Sequence, residues 1–305
     1  MSNIDLHTHS PCSDGALPIS DMLRRAESIG LEYFSISDHN TVDAYKEIIK
    51  DRALFSGKII PAVELTTMYE GEVIEILGYG IDTQAIKTFI DTAYLENNAR
   101  RIKEAEIDTK ALLKMGVKLS DDCVHRMLHA PESFENFHKV GCRRHLMEEI
   151  RRHPENVKFF ENEEQFRTMD AQEYARNNWF TPTSPYYIDL SALYPAANEV
   201  IRAIRQAGGL AFLAHMFIYS PNIAANLDNL LAAHPLDGLE CYYGTFTEQQ
   251  KQFMSEYCDT HALYKSGGSD FHGTPGRTKN VMGLSNGSPI PVSLVQNWID
   301  KVKTI

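Results

Sequence analysis

Short apolar runs that close on a histidine or a carboxylate recur along this chain, and they constrain its fold more than any other feature. The runs are Asn3 to His7, Tyr33 to Ser37, Lys58 to Leu65, Val73 to Tyr79, Gly209 to His215, Gly238 to Tyr243 and Leu263 to Gly267. Their length and their bounding turn residues read as strands. Amphipathic stretches lie between several of them: Pro18 to Ile29, with Ser20 as N-cap and Gly30 as stop, Val42 to Phe55, and Ala197 to Ala207 before Gly208. Strands alternating with helices predict an α/β fold built on parallel strands. Seven strands point to a closed or nearly closed β/α barrel of the TIM type, with an open doubly wound sheet as the other architecture.

Residues 84–187 read differently. Long polar helices rich in Glu, Arg, Lys and Asn replace the strand pattern, and Pro182 and Pro185 cluster near the end. This predicts a helical subdomain, 84–187, inserted after the fourth strand of a barrel formed by 1–83 and 188–305. The balance of 30 Lys+Arg against 41 Asp+Glu, net −11, contains no basic run suited to duplex phosphates, so no duplex nucleic acid is expected. Five cysteines without C-x-x-C spacing, no hydrophobic leader before Ile4-Asp5-Leu6 and no run of about 18 apolar residues predict a cytoplasmic chain with free thiols and no membrane partner.

The histidines and carboxylates fall at the carboxyl ends of the strands, the face on which β/α barrels build their sites. His7 and His9 are two apart on an extended segment, so both imidazoles point the same way and can share an ion. Asp14 follows in a loop. Asp38 and His39 close the second strand, Glu64 the third, and Glu75 lies in the fourth. His215 ends the fifth, and Asp270 and His272, again two apart, follow the seventh. Each alone has a structural explanation. Together, five histidines and four carboxylates on one rim make a poor core and a costly cluster of like charge unless cations are present. Asp14, Glu64, Glu75 and Asp270 supply −4, so two divalent ions give a neutral site and three give +2, which attracts a phosphate ester. Nitrogen and oxygen ligands without thiolate suit manganese, iron or zinc.

Five ordered motifs carry a resemblance: Asp5-Leu6-His7-Thr8-His9-Ser10, Ser37-Asp38-His39-Asn40, Pro61-Ala62-Val63-Glu64, Leu213-Ala214-His215 and Gly268-Ser269-Asp270-Phe271-His272. Together they resemble the polymerase and histidinol phosphatase (PHP) family. The resemblance implies a distorted (β/α)7 TIM-like barrel with an inserted helical subdomain and two or three divalent metal ions. His7, His9, Glu64 and Asp270 would hold the first ion, Glu64 would bridge to a second also bound by His215, and Asp14, His39 and His272 would hold the third. The chain looks most like stand-alone members that act on nucleotides. That implies a phosphoesterase using a metal-bridging hydroxide on a small substrate such as AMP or a nucleoside 3′,5′-bisphosphate, with Glu64, Asp270 and His145 as catalytic candidates. Glu75 departs from the family, whose members usually carry histidine there. Its added charge favours a harder ion, manganese or iron ahead of zinc.

For the substrate, Gly141-Cys142-Arg143-Arg144-His145 resembles a phosphate-contacting Gly-Arg-Pro-His segment of nucleotide-specific relatives, with arginine in place of the proline and one residue shifted in. Arg143, Arg144 and His145 are therefore candidate phosphate contacts, and Arg277 is another. The general acid is left between His145 and a metal-bound water. His125 and His129, i and i+4 on a helix, lack a third ligand nearby. Glu240 is read either as support for the site or as a barrel polar residue. Alternative functions are a 5′-to-3′ exonuclease on short oligonucleotides, a histidinol-phosphatase-like enzyme, and an amidohydrolase-type hydrolase, although the last would carry lysine where Glu75 stands.

Overall fold

The computed structural model describes residues 3–135, 137, 141–219, 221–273 and 280–305. Strands β1 (Asn3–Asp5), β2 (Leu31–Phe34) and β3 (Lys58–Ile59) form one parallel sheet in that order. Strands β4 (Ala62–Tyr69), β5 (Glu72–Tyr79), β6 (Leu210–Leu213), β7 (Gly238–Tyr242) and β8 (Tyr264–Gly267) form a second, and β9 (Leu284–Ser285) pairs with β10 (Ser288–Pro289). The fold is therefore mixed α/β.

Three expectations need correction. The ladders make two main sheets and not one closed barrel among the described residues. The predicted third strand is broken at Ile60-Pro61, where proline has no N–H for a ladder, and resumes as β4, which runs on to Tyr69. The sheet is also not all parallel, because β5 pairs antiparallel with β6. Only Glu70 and Gly71 separate β4 from β5, both at positive φ, too short a link for the crossover that parallel neighbours need.

The first helix spans Ile19–Ser28, with Pro18 and not Ser20 at the N-cap position and Gly30 at φ +70 behind it. The second is shorter than predicted, Ala44–Lys50 followed by a 3₁₀ turn at Arg52–Leu54. The chain divides into two compact units. The first comprises Met1–Thr67, Ile74–Thr92 and Ala196–Ile305, with a core that includes Ile4, Leu6, Phe212 and Trp298. The second comprises Met68–Val73 and Ala93–Pro195, packed around Leu112, Met127, Leu146 and Trp179. Its helices include Asn97–Met115, Asp121–His129 and Arg143–Arg151. Among the described residues no helix is long and apolar enough to cross a membrane, and all five cysteines are free thiols.

Candidate metal centre

Backbone pairing gathers the site within the first unit. Beyond β1, His9 N–H donates to the Phe271 carbonyl at 2.9 Å and Asp270 N–H to that of His7 at 2.8 Å. On the other flank of β1, Ser37 N–H donates to the Thr8 carbonyl at 2.8 Å, and His39 bridges to Glu64 in parallel. Gly268 permits the approach of the loop to β1, since a Cβ there would lie 2.7 Å from the His7 Cα. His215 and Asp270 both adopt positive φ, +21 and +55, strained values for residues with side chains.

The side chains converge on Glu64. Its Oε2 lies 3.0 Å from His39 Nδ1, 3.3 Å from His7 Nε2 and 3.4 Å from His9 Nε2, while Oε1 is 2.9 Å from His215 Nε2. Asp270 Oδ1 sits 3.0 Å from His9 Nε2 and 3.5 Å from His7 Nε2. Asp14 Oδ1 is 3.2 Å from His272 Nε2 and 4.0 Å from His39 Nε2. Glu75, the departure noted above, lies 3.2 Å from His39 Nδ1 and 3.4 Å from His215 Nε2. All nine residues named from the sequence are thus brought together. Among the described residues, four overlapping groups could hold an ion: His9, Asp14, His39 and His272; His7, Glu64 and His215; His7, His9 and Asp270; and His39, Glu64 and Glu75.

The donor set passes a direct test of fit to cations. The Nε2 atoms of His7 and His9 face each other at 3.1 Å. Buried Glu64 Oε2 and His39 Nδ1 have no aligned hydrogen-bond partner despite their short separation. Ligand atoms crowded without hydrogen-bond alignment are what a shared cation needs. Without ions, the charges polarise strongly. Burial pushes Glu64 up, but His7 and His39 outweigh it and hold the carboxyl well below its usual range. Burial likewise opposes His7 and His39, whose carboxylate neighbours nevertheless raise both well above the ordinary imidazole value. His9 goes the other way, lowered to about 4 by burial and by its neighbours His272 and His39.

Sequence reasoning left Glu240 undecided and passed over Tyr243. Glu240, fully buried on β7, accepts from His7 Nδ1 at 2.9 Å and from the His215 N–H at 2.8 Å. It adds a fifth carboxylate to the charge count. The Tyr243 hydroxyl donates to Asp270 Oδ2 at 2.7 Å, leaving Oδ1 toward His7 and His9. An ionisable residue centred in an otherwise apolar strand was the one available signal for Glu240; Tyr243 carried none. Asp38 accepts from Ser10 and Ser13 and stays out of the four groups.

Three of the four substrate candidates belong to the second unit. In the second unit Arg143 pairs with Asp108 at 3.1 Å and Glu104 at 3.9 Å and stacks over Phe180. Arg144 is exposed. His145 Nε2 donates to the Glu135 carbonyl at 2.9 Å, and its ring packs on Phe134. Arg277 lies outside the described residues. The His125 and His129 rings lie tilted with centroids 5.0 Å apart, but no potential ligand group among the described residues includes them.

The PHP domain family matches residues 5–169, more than half of the chain, and the chain belongs to that family. Among curated relatives, it is 25% identical to the 3′,5′-nucleoside bisphosphate phosphatase of Chromobacterium violaceum, over 95% of this chain and 93% of that protein. It is 27% identical to a 5′-3′ exoribonuclease of Haemophilus influenzae, over 88% and 89% respectively. Of solved structures, that of an amidohydrolase from Chromobacterium violaceum, with bound sulfate and no metal, matches at TM-score 0.62 and 23% identity, over 96% of this chain and 93% of that one.

Proposed function

We propose that this protein is a metal-dependent hydrolase of phosphoric ester bonds that removes phosphate from nucleotide monoesters, nucleoside 3′,5′-bisphosphates foremost. The observation that carries the reading is the convergence of four imidazoles on the buried carboxylate of Glu64, whose Oε1 meets His215 Nε2 while its Oε2 crowds three imidazoles without an aligned hydrogen bond. In this reading two or three divalent ions, manganese or iron ahead of zinc, are held by His7, His9, Glu64 and Asp270, by Glu64, His215 and Glu75, and by Asp14, His39 and His272. Such ions supply Lewis acidity at a phosphoryl oxygen and make water a nucleophile at neutral pH. The chain's own residues do the rest. Glu64 and Asp270 fix the ligand cluster, Tyr243 orients Asp270, and Arg144 and Arg277 meet substrate phosphate. Arg143, already neutralised by Glu104 and Asp108, serves the second unit. His145 is the proton donor only if it leaves the Glu135 carbonyl.

The two sheets are read as arcs of one distorted β/α barrel carrying the site, with 84–187 as the insertion and the cytoplasm as the compartment. Names of relatives at similar identity support two substrate classes, bisphosphate and oligonucleotide. The test is phosphate release from adenosine 3′,5′-bisphosphate with Mn²⁺. Release that vanishes in Asp270→Asn supports the reading; no release, or undiminished release in that variant, sinks it. Mononucleotides appearing stepwise from a 5′-labelled oligomer would favour the exonuclease alternative.

A further inference from the structure

We propose that Glu240 is a positioning residue whose single carboxylate sets the geometry of two metal ligands, His7 and His215, drawn from different strands. The inference rests on the metal reading above and adds a residue that neither coordinates nor touches substrate. On β7, Cys241 turns toward helix Glu248–Thr260, where its sulfur lies 3.5 Å from Cys258 Sγ, while Glu240 reaches His7 Nδ1 and the His215 N–H. These contacts place the Glu240 side chain toward the cluster, fully buried. A buried carboxylate is costly unless its oxygens are matched, and here each oxygen has its own donor.

Oε1 accepts from His7 Nδ1 at 2.9 Å. This places the His7 proton on Nδ1 and aims the Nε2 lone pair at the point shared with His9, Glu64 and Asp270. Oε2 accepts from the backbone N–H of His215 at 2.8 Å. That bond holds a residue at φ +21 and ψ 58, the conformation that delivers its Nε2 to within 2.9 Å of Glu64. Glutamine cannot reproduce both bonds. Its side chain has one acceptor end and one donor end, so either His7 or the His215 N–H would face an NH₂ group.

The test uses Zn²⁺ as a diamagnetic probe on the full chain. In zinc-loaded wild type with ¹⁵N-labelled histidine, His7 is expected to carry its proton on Nδ1; a proton on Nε2 overturns the inference without any variant. Glu240→Gln is expected to bind Zn²⁺ about 10- to 100-fold more weakly in competition with a chromogenic chelator, with native near-UV circular dichroism. A folded Glu240→Gln that binds as tightly as wild type overturns the inference and leaves the metal reading standing. Wild type that takes up no Zn²⁺ overturns the metal reading and this inference together.

Discussion

Replacing Arg143 with methionine separates two roles for a residue that the sequence offers as a candidate contact to substrate phosphate. In the second unit Arg143 lies against Asp108 and Glu104, and Glu104 also receives Arg100 and the Tyr194 hydroxyl. Methionine fills similar volume but leaves two buried carboxylates short of one cation. Breaking a buried pair from one side costs about 3–5 kcal/mol. At an m-value of about 3 kcal/mol/M, the urea midpoint should fall by about 1–1.7 M. Burial already pushes Asp108 up to about 6 against the charge of Arg143. Its folded value thus lies above the ordinary 3.8, so its contribution to stability is complete below that pH and is lost as pH rises through about 6. Without Arg143 that window moves higher, and the defect should be largest near pH 8 and smallest near pH 5. The assay is direct because the chain has two tryptophans, Trp179 in the second unit and Trp298 in the first. Urea titration of Trp179 fluorescence in a Trp298→Phe background reads the second unit alone. An unchanged midpoint, accompanied by weakened substrate binding, would refute the structural role.

Three other outcomes are expected. Gly268→Ala places a methyl carbon 2.7 Å from the His7 Cα, where ordinary contact begins at 3.4 Å. The nearest atom is the His7 Cβ, at 2.2 Å, so the backbone must open by about 1.2 Å at a cost of about 1–3 kcal/mol, and isothermal titration should show weaker Mn²⁺ binding; retained affinity would mean that the loop has slack. Chelation should bring phosphate release to background, with recovery on adding Mn²⁺ and none on adding Na⁺. Glu75→His removes a negative charge and adds a softer nitrogen ligand, so zinc should gain on manganese in competition binding. An unchanged ratio would place Glu75 outside the ligand set.

The histidines were legible because chemistry and periodicity agree at them. Two residues apart on an extended segment is enough to put His7 and His9 on one side, and strand ends are where a fold of this class gathers polar groups. Strand direction was not legible from the apolar runs, which carry no polarity. The positive-φ pair Glu70-Gly71 does, since a two-residue link implies a hairpin. The surroundings of Arg143 were hidden for a different reason. Its partners lie 39 and 35 residues upstream, and nothing local to Gly141-Cys142-Arg143-Arg144-His145 reveals that the first arginine is already neutralised.

Glu240 marks the deeper boundary of what a sequence tells. A ligand is recognised by its residue type and rim position, but a residue that orients ligands is defined by two distances, 2.9 Å to one imidazole and 2.8 Å to one amide, which no local pattern encodes. Its presence also changes the charge arithmetic. Counting the Glu240 carboxylate beside the four already named gives five, so two divalent ions leave a net −1 and three are needed to reach +1. An anionic phosphate ester would then be attracted only by the three-ion state. Metal occupancy and substrate affinity should therefore rise together as the third ion binds through Asp14, His39 and His272. Parallel titrations of Mn²⁺ uptake and of KM would expose that coupling, and a KM that is already low with two ions bound would show that the substrate's charge is met by arginines.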